Sequence, residues 1–522
     1  MSNQKMNRRV FLTKAGTLAA ALVLAGCAPK ATTTEEPAAE KPTEAPKPTV
    51  EPTKAPPETI NYYYVAWNIV TDAPMVAEEM SKISLDKINA IIDLQPLNWD
   101  QFSQKVPLML AGGEKIDLMF TCNWFNDFIK NVNQGNLADI TDLLPTLAPG
   151  LWNSMKLGVW DAPRVKGRIY AAPNQQIQAT RIGTCIRKDL VDKYNFDLSG
   201  VKGVKDLEPL AAALKNDGVY LFASEFGGSP IYRVDMFGYN YQASYMFATK
   251  VLDESLTPYI ESEIPEFMEN MKLTRRWVLE GYMPDTPWVS QDEYSAQFKA
   301  GKIAARNVNA DKPGWSSEMK NQYGFDFYQI SLMSGNPAFM DTGSIIATMT
   351  GVSRTTVNVE TSVKMLELLN TDVEFYNLIC HGIQGKHWVW VNEAKKVIGF
   401  PEGIDATNTT YNPATDWMFG NQFNSYYISE QQADDNVWEE TKKLNDSAVI
   451  AATMGFNFDP TPVEAEISAV SAVNAESLPA AQGLVDPEPL IQAVREKQNA
   501  AGIEKIREEL RKQLQDWKAT KA

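Results

Sequence analysis

The stretch from Ile60 to Thr121 alternates between short apolar runs and amphipathic segments, and this alternation constrains the fold more than any other feature. Three runs have the β-branched and aromatic composition of strands: residues 60–66, 90–94 and 116–121. Between them, residues 73–89 repeat apolar side chains at helical spacing, and Asn98 is a suitable N-cap for a helix that reaches Ala111. Strands that alternate with helices predict βαβ units and a parallel sheet.

The N-terminus has the parts of a bacterial export signal. Basic residues precede an apolar stretch from Thr17 to Ala25, which is too short to span a membrane. The small residues before Cys27 resemble a lipobox, in which the thiol is diacylated and becomes the new N-terminus. The pair Arg8-Arg9 resembles a twin-arginine signal, so both the Sec and the Tat export routes stay open. We predict a signal peptide over 1–26 and a lipid anchor at Cys27; the alternative is an ordinary signal peptide with an incidental cysteine.

The segment after Cys27 has the composition of a spacer. Residues 28–58 are almost wholly Ala, Pro, Thr, Glu and Lys, and they include no aromatic residue. Such a stretch cannot bury enough apolar surface to fold, and its prolines favour extended conformations. We predict a disordered linker that tethers a folded, extracytoplasmic part to the cell membrane. The remaining residues, 59–522, are too many for one core, so we expect two lobes.

Charge and residue counts argue against several classes of function. Removal of the signal peptide takes away four basic side chains and no acidic one, so the net charge changes from -16 to -20. Proteins that bind nucleic acid are usually basic. Besides Cys27 the chain has three cysteines, too few for a complete disulfide framework, although one pair could still form. Only two histidines occur, His381 and His387, and their spacing of six matches no helical ligand pair, so we expect neither a His-based zinc site nor a hydrolase triad. We predict no metal site and no cofactor.

Several phrases follow one another in a specific order along the chain. They are "ISLDKINAIIDLQPLNWDQFSQKVPLMLAGGEKIDLMFTCNW", "GNLADITDLLP", "GRIYAAPNQ", "CIRKDLVDKYNFDLSGVKGVKDLEPLAAALK" and "FKAGKIAARNVNADKPG". Together they resemble the family 1 extracellular solute-binding proteins of ABC importers. The tail, "MGFNFDPTPVEAEISAVSAVNAES" with "AGIEKIREELRKQLQDW", is similar to the C-terminal extension of one lipoprotein branch of that family. The resemblance covers residues 59–522.

The resemblance implies an α/β protein with a two-lobed, periplasmic-binding-protein-like fold of type II, in which hinge-connected lobes enclose a ligand cleft. It divides the chain into a signal peptide (1–26), a lipidated cysteine with a disordered linker (27–58), a first lobe (59–183 and 342–384), a second lobe (184–341 and 385–460) and a helical C-terminal extension (461–522).

The same resemblance implies three crossings of the chain between the lobes. We place them near 181–187, near 341–344 before an apolar strand at 345–349, and near 385–391. In the tail, apolar side chains repeat at spacings of three and four and predict a helix packed on a lobe: Ile503, Ile506, Leu510, Leu514 and Trp517.

Aromatic and amide side chains near strand ends are the candidates for ligand binding, because open α/β sheets bind ligands at the carboxyl ends of their strands. Sugar rings stack on aromatic rings, and their hydroxyls need planar polar partners. The first lobe offers Trp67, Asn68, Asn123 and Trp124; the second offers Glu225, Arg233, Trp288, Arg306 and Trp315; the third segment offers Trp388, Trp390, Trp417 and Asn421. The alternative for each aromatic residue is core packing, and for each arginine a structural ion pair.

The resemblance implies a membrane-tethered substrate-binding protein, not an enzyme, that captures an oligosaccharide by lobe closure. Its expected partners are this small-molecule ligand, the transmembrane subunits of an ABC permease and the membrane through the lipid anchor. We expect a monomer that binds no nucleic acid. The alternatives are a lipoprotein that binds peptides or another solute, a surface adhesin, and a glycan-active enzyme with two catalytic carboxylates.

Overall fold

The first sheet of the protein starts with the strand that the sequence predicts. In the computed structural model this strand covers Glu58–Val65. The structure describes residues 55–68, 70–156, 158–224, 229, 231–286, 290–308 and 311–521. The predicted signal peptide, Cys27 and the linker up to residue 54 lie outside the described residues. From Pro56 onward the chain forms one compact unit.

The strands of the described residues are short and lie between residues 58 and 450. In chain order they are β1 (Glu58–Val65), β2 (Ala90–Leu97), β3 (Leu118–Thr121), β4 (Arg164–Val165), β5 (Arg168–Ile169), β6 (Ala171–Pro173), β7 (Gly183–Arg187), β8 (Tyr239–Gln242), β9 (Phe247–Lys250), β10 (Ala305–Val308), β11 (Phe327–Ser331), β12 (Phe339–Met340), β13 (Met349–Val352), β14 (Val389–Asn392), β15 (Val397–Gly399) and β16 (Val449–Ile450).

Helices connect most of these strands and make up the C-terminal region. The α-helices in chain order are α1 (Ala73–Lys87), α2 (Trp99–Gly112), α3 (Phe128–Asn133), α4 (Leu144–Leu147), α5 (Pro149–Ser154), α6 (Lys188–Lys193), α7 (Glu208–Leu214), α8 (Pro265–Leu279), α9 (Gln291–Lys299), α10 (Trp315–Tyr323), α11 (Thr342–Ile345), α12 (Val359–Thr371), α13 (Val373–His381), α14 (Glu430–Asp434), α15 (Val437–Ser447), α16 (Glu464–Asn474), α17 (Leu478–Ala481), α18 (Pro487–Ala501) and α19 (Ile503–Lys521). Short 3-10 helices lie between them, among them Val234–Phe237, Glu261–Glu263 and Asp416–Met418.

The predicted βαβ pattern is confirmed in the first lobe. Its five-stranded sheet has the order β2-β1-β3-β13-β6, with β1 parallel to both β2 and β3, and β13 antiparallel to its two neighbours. Helix α2 begins where predicted: Asn98 Oδ1 accepts the Gln101 backbone N–H at 2.8 Å, and Gln101 Oε1 accepts the Asn98 backbone N–H at 3.3 Å. Gly113 ends the helix in a left-handed conformation with φ of 70°.

The predicted strand at 345–349 is wrong. Asp341 caps a short helix instead, because its carboxylate accepts the Ser344 backbone N–H at 2.7 Å and the Ser344 hydroxyl accepts Asp341 N at 3.1 Å. This capping box starts α11, and the apolar run only becomes a strand at Met349. The local capping residues therefore outweigh the apolar composition of the run.

The second lobe is built on a smaller, antiparallel sheet. The predicted segment 181–187 forms its central strand β7, which pairs with β10 on one side and β11 on the other. A separate buried core surrounds this sheet and includes Leu221, Phe222 and Trp277. The α/β fold therefore has two cores, as the two-lobed prediction requires.

Three segments pass side by side from the first core to the second. In the segment around residue 180, Ala179 belongs to the core of the first lobe and Ile182 to the core of the second lobe. In the segment around residue 340, Met340 belongs to the core of the first lobe and Phe339 to the core of the second lobe. The third lies at 448–451: Ala448 packs in the first core and Ala451 in the second. These segments are hydrogen-bonded together, since β12 pairs with β16 in parallel and bridges Thr180 in the antiparallel sense.

The third crossing therefore differs from the one predicted near 385–391. Residues Tyr411, Met418 and Phe419, which the prediction assigns to the second lobe, are buried in the first core. The Phe419 ring packs edge-on against Tyr64, with 4.9 Å between ring centroids. The aromatic run at 388–391 lies mostly in β14, which pairs with β15 in a hairpin. Its alternating composition is the same as that expected of a crossing strand. The other lobe boundaries stay predictions.

The C-terminal helices pack on the second lobe through the predicted apolar stripe. Four residues of this stripe are buried in one apolar cluster with residues of the second lobe and of the segment before α16. The stripe residues are Ile503, Ile506, Leu510 and Leu514, and their partners in the cluster include Met246, Phe247, Leu256, Ile260, Phe456 and Val463. No helix in the described part of the chain combines the length and apolarity that crossing a membrane requires. Cys122, Cys185 and Cys380 are buried free thiols, so no two of these three cysteines form a disulfide in this structure.

Candidate functional site

Four indole rings form a continuous surface on the first lobe, which we call the tryptophan surface: Trp67, Trp99, Trp124 and Trp417. Ring centroids lie 5.1 Å apart for Trp67 and Trp99, 5.6 Å for Trp99 and Trp124, and 6.3 Å for Trp124 and Trp417. Trp67 is 62% exposed and Trp124 is 51% exposed, which is unusual for such large apolar side chains. The surface therefore offers open aromatic faces to a ligand.

The topology of the sheet explains why these rings meet. Trp67 follows β1, Trp99 follows β2 at the start of α2, and Trp124 follows β3. Because the three strands are parallel neighbours, their carboxyl ends lie at one edge of the sheet. The structure thus brings together the predicted Trp67, Trp124 and Trp417, and it adds Trp99. Sequence reasoning missed Trp99 although it has the same signal, an indole directly after a strand.

Hydrogen bonds hold the loops of the tryptophan surface in place. The backbone N–H of Trp67 donates to Pro413 O at 2.9 Å, which ties this loop to the segment that carries Trp417. The indole Nε1 of Trp124 donates to Ala347 O at 2.8 Å. The Trp124 ring and the Trp67 backbone are thereby held in place before any ligand arrives, which lowers the entropy lost on binding.

A polar turn lies beside the tryptophan surface, at the second crossing. Asn123 Nδ2 donates to Gly343 O at 3.0 Å, and from the second lobe Asn240 Nδ2 lies 3.3 Å from Asp341 Oδ2. Burial raises the pKa of the Asp341 carboxyl, and hydrogen bonding to Ser344 partly opposes that shift. The turn is thus contacted from both lobes. Asn68 is exposed.

The second lobe contributes a group that we call the tyrosine cluster: Arg233, Asp235, Tyr241, Tyr245 and Glu261. The Arg233 guanidinium donates to Asp235 Oδ2 from Nε at 2.9 Å and from Nη2 at 2.7 Å, so the predicted Arg233 is paired. Tyr241 donates to Glu261 Oε1 at 2.6 Å, and its ring lies 5.1 Å from that of Tyr245. Tyr245 itself is 66% exposed.

Burial makes the Glu261 carboxyl of this cluster a weaker acid. It raises the pKa of Glu261; the hydrogen bond from Tyr241 opposes the shift, and repulsion from Asp235 adds to it. In the folded protein the Glu261 carboxyl acts as a hydrogen-bonding group, since its Oε1 accepts the Tyr241 hydroxyl at 2.6 Å. Such a cluster fits hydroxyl groups better than it fits a cation.

The remaining second-lobe candidates lie elsewhere. Arg306 Nη1 lies 3.4 Å from Gln322 Oε1, and its guanidinium lies 6.0 Å from the centre of the Tyr323 ring. Trp315 packs against the small core that contains Tyr323. Both contacts are those of residues that support local packing. Glu225 and Trp288 lie outside the described residues.

Two candidates of the third segment have structural partners in the first lobe. Trp388 is 7% exposed, and its Nε1 donates to Gly382 O at 3.0 Å. Asn421 Oδ1 accepts the Phe423 backbone N–H at 3.1 Å, and its Nδ2 donates to Asn370 O. The Trp390 ring packs on Trp388 with 4.9 Å between centroids. We leave these three residues out of the proposed ligand site.

Both histidines serve the first lobe as neutral rings. His387 Nδ1 accepts the Ile383 backbone N–H at 2.9 Å, which leaves its Nε2 to face Asp72 Oδ2 at 3.1 Å. Hydrogen bonds from Lys386 and Thr410 lower the pKa of Asp72 to about 2. Burial lowers the pKa of His387 and lowers that of His381 to about 4. Both rings thus resist protonation in the folded protein.

We expect the folded state to lose stability as the pH falls below 6.5. Folding lowers the pKa of His381, so between pH 4 and pH 6.5 the unfolded chain binds a proton at this residue and the folded protein does not. Above pH 6.5 the residue is neutral in both states, and it no longer affects the free energy of unfolding. The loss amounts to at most about 1.4 kcal/mol per pH unit for one histidine. Urea unfolding between pH 5 and 7 measures it, and His381→Gln should flatten the slope. An equal slope in the variant would contradict this assignment.

Comparison with known proteins agrees with this geometry. Residues 91–370 match the family described as bacterial extracellular solute-binding protein, and residues 452–519 match a domain of unknown function, DUF3502. A carbohydrate ABC transporter substrate-binding protein of Streptococcus pneumoniae serotype 4 (strain ATCC BAA-334 / TIGR4) is 25% identical over 443 residues, which is 84% of this chain and 86% of that protein.

Solved structures share the fold. The N-glycan transport solute binding protein NgtS from Streptococcus pneumoniae has a TM-score of 0.75 at 23% identity, over 89% of this chain and 100% of that chain. The same protein in complex with Man5GlcNAc gives a TM-score of 0.64 at 23% identity, over 89% of this chain and 99% of that chain. The sequence match extends over more than half of the chain, and the two-lobed fold accompanies it. The chain belongs to the bacterial extracellular solute-binding protein family.

Proposed function

We propose that this protein is the membrane-tethered substrate-binding component of an ABC importer and that it captures an oligosaccharide between its lobes. The ligand lies on the tryptophan surface, and closure of the second lobe brings the tyrosine cluster against it. The closed complex then delivers the sugar to the transmembrane subunits of a permease. The protein acts as an extracytoplasmic monomer and leaves the sugar chemically intact.

The observation that carries this proposal is the tryptophan surface itself. Monomeric proteins rarely leave large aromatic faces open to water unless a ligand or partner covers them. A sugar ring has an apolar face of C–H groups that fits an indole and a rim of hydroxyls that fits amide and carboxyl groups. The exposed Trp67 and Trp124 offer indole rings for the apolar face, and Asn123 and Asp341 offer an amide and a carboxyl group for the hydroxyls.

The comparisons support a carbohydrate rather than a peptide. The relative from Streptococcus pneumoniae carries a carbohydrate transport name, and NgtS binds Man1GlcNAc and Man5GlcNAc in solved complexes. We therefore propose a neutral oligosaccharide of the N-glycan type as the first ligand class to test. The expected preference for several linked sugars follows from the length of the surface, since four rings exceed the footprint of one pyranose.

A ligand screen by thermal shift tests the proposal. A ligand that binds only the folded state raises the unfolding temperature, and the stabilisation grows with the logarithm of ligand concentration over Kd. We expect N-glycan-type oligosaccharides to raise it and to be recovered unhydrolysed. Stabilisation by peptides alone would favour the peptide-binding alternative, and recovery of cleaved sugar would favour an enzyme.

We expect Cys27→Ser to release the protein from the membrane fraction. Two acyl chains on Cys27 supply stable anchoring, whereas the described part of the chain has no helix that could span a membrane. Fractionation of cells with labelled fatty acid measures both attachment and acylation. Cys122→Ser is the matched control, because that thiol is buried in the first lobe and should leave the fractionation unchanged. A Cys27→Ser protein that stays membrane-bound would contradict the lipid anchor.

A further inference from the structure

The C-terminal domain of unknown function packs directly behind the hairpin that presents the tyrosine cluster. The hairpin pairs β8 with β9, and residues 243–246 form its tip. Ala243 and Met246 of the tip are buried in the same cluster as Ile503, Ile506 and Leu510 of helix α19. The tip is therefore supported by residues that lie about 260 positions later in the chain.

An ionic network joins the same helix to the tyrosine cluster. The Arg507 guanidinium donates to Glu263 Oε1 at 2.6 Å and lies 5.6 Å from the centre of the Phe247 ring in β9. Arg495 of helix α18 adds a bond to Glu263 at 3.3 Å. Glu263 ends the 3-10 helix Glu261–Glu263, whose first residue accepts the Tyr241 hydroxyl. One short turn therefore connects Arg507 to Tyr241.

The hairpin tip has a backbone conformation that needs such support. Ala243, Ser244 and Tyr245 have φ angles of 47°, 56° and 65°, three successive non-glycine residues in the left-handed region. Residues with side chains avoid this region unless the surroundings impose it, and such strain is concentrated at ligand-binding sites. The result is an exposed Tyr245 ring that lies beside Tyr241.

We propose that the C-terminal domain is a positioning element of the ligand site, in which Arg507 and the α19 stripe hold Tyr241 and Tyr245 as a second aromatic platform for a sugar ring. This inference rests on the proposed function, since it assigns the platform to the same oligosaccharide. The domain then contributes to affinity without contacting the ligand. Arg507 is a positioning residue, and Tyr245 is the contact residue.

The test combines Arg507→Met with Tyr245→Ala in a double-mutant cycle on the protein from residue 56 to its C-terminus. Calorimetric titration with an N-glycan-type oligosaccharide gives Kd for each variant. We expect Tyr245→Ala and Arg507→Met each to raise Kd at least fivefold and the double variant to do little more than either. Trp67→Ala serves as the independent partner, and its effect should multiply with that of Arg507→Met.

A matched control separates positioning from general charge loss. Arg511→Met removes the same charge from an exposed position of the same helix and should leave Kd within twofold. Hydrogen exchange of the unliganded protein is the second readout: Arg507→Met should speed amide exchange in residues 239–250 and leave β1–β3 unchanged. A Kd for Arg507→Met equal to that of Arg511→Met, or fully multiplicative effects of Arg507→Met and Tyr245→Ala, would overturn the inference.

The two proposals fail in different ways. If wild-type protein binds no oligosaccharide, the proposed function is wrong and the inference falls with it. If the wild-type protein binds and Trp67→Ala weakens binding while Tyr245→Ala does not, the proposed function stands and only the platform is wrong.

Discussion

Replacing both Trp67 and Trp124 with alanine is expected to weaken oligosaccharide binding by about 3 kcal/mol, or more than a hundredfold in Kd. Both rings are more than half exposed, so their main contribution is to the ligand and not to a buried core. Aromatic anchors at the centre of an interface account for most of its binding energy. Calorimetric titration of the double variant measures the loss.

The unliganded double variant should unfold within about 1 kcal/mol of the wild-type protein, because surface truncations cost little stability. Phe400→Ala is the matched control: it removes another exposed aromatic ring, 41% accessible, next to the β14–β15 hairpin, and should not change Kd. Unchanged affinity in the double variant would remove the tryptophan surface from the binding site.

Gly420→Ala is expected to destabilise the first lobe by about 3–4 kcal/mol. A Cβ at this position would lie 2.2 Å from Leu369 O and 2.5 Å from Leu369 C, both backbone atoms of helix α12. The collision would displace the segment 417–421 and break the bonds from Gln175 N to Gly420 O and from Asn421 N to Leu369 O. Denaturant unfolding followed by circular dichroism measures the loss.

The same substitution should also reduce ligand affinity, because Trp417 lies three residues away in the displaced segment. Gly200→Ala is the matched control, because no other atom would lie within 4 Å of the added Cβ and the backbone of Gly200 is not in the left-handed region. We expect it to change the free energy of unfolding by less than about 0.5 kcal/mol. A Gly420→Ala protein as stable as the Gly200→Ala protein would show that α12 moves away without cost.

Local signals in the sequence predict the first lobe well. Asn98 with Gln101 specifies a helix start through contacts between near neighbours, and the aromatic run at 60–66 has the composition of a buried strand. These features depend on residues close together in the chain, so periodicity and capping rules suffice to predict them. The parallel order of strands then places Trp67 and Trp124 at one edge.

The third crossing could not be predicted from local signals. Ala448 to Ala451 consists of small and β-branched residues with no turn or glycine signature, and its role depends on pairing with β12, about 110 positions earlier. The run at 388–391 alternates like a crossing strand but pairs with β15 instead. Which partner a short strand finds is decided by tertiary packing, which the run itself does not encode.

The tyrosine cluster shows the same limit in the candidate site. Arg233 is recognisable as a polar candidate, but Tyr245 gains its position from three left-handed residues and from helix α19, more than 250 positions away. Trp388 and Asn421 have the right residue types for sugar binding, yet neighbouring backbone groups satisfy their polar atoms. Composition identifies such candidates, and only the packing separates ligand contacts from structural ones.

Tryptophan fluorescence during titration with an N-glycan-type oligosaccharide tests the central claim most directly. The account predicts a saturable change in emission in the wild-type protein, because the sugar covers the exposed Trp67 and Trp124 rings. The change should be largely lost in the Trp67→Ala, Trp124→Ala protein and absent when a tripeptide replaces the sugar. Saturable binding of oligosaccharide, detected by calorimetry, without any change in emission would contradict the claim that the tryptophan surface is the binding site.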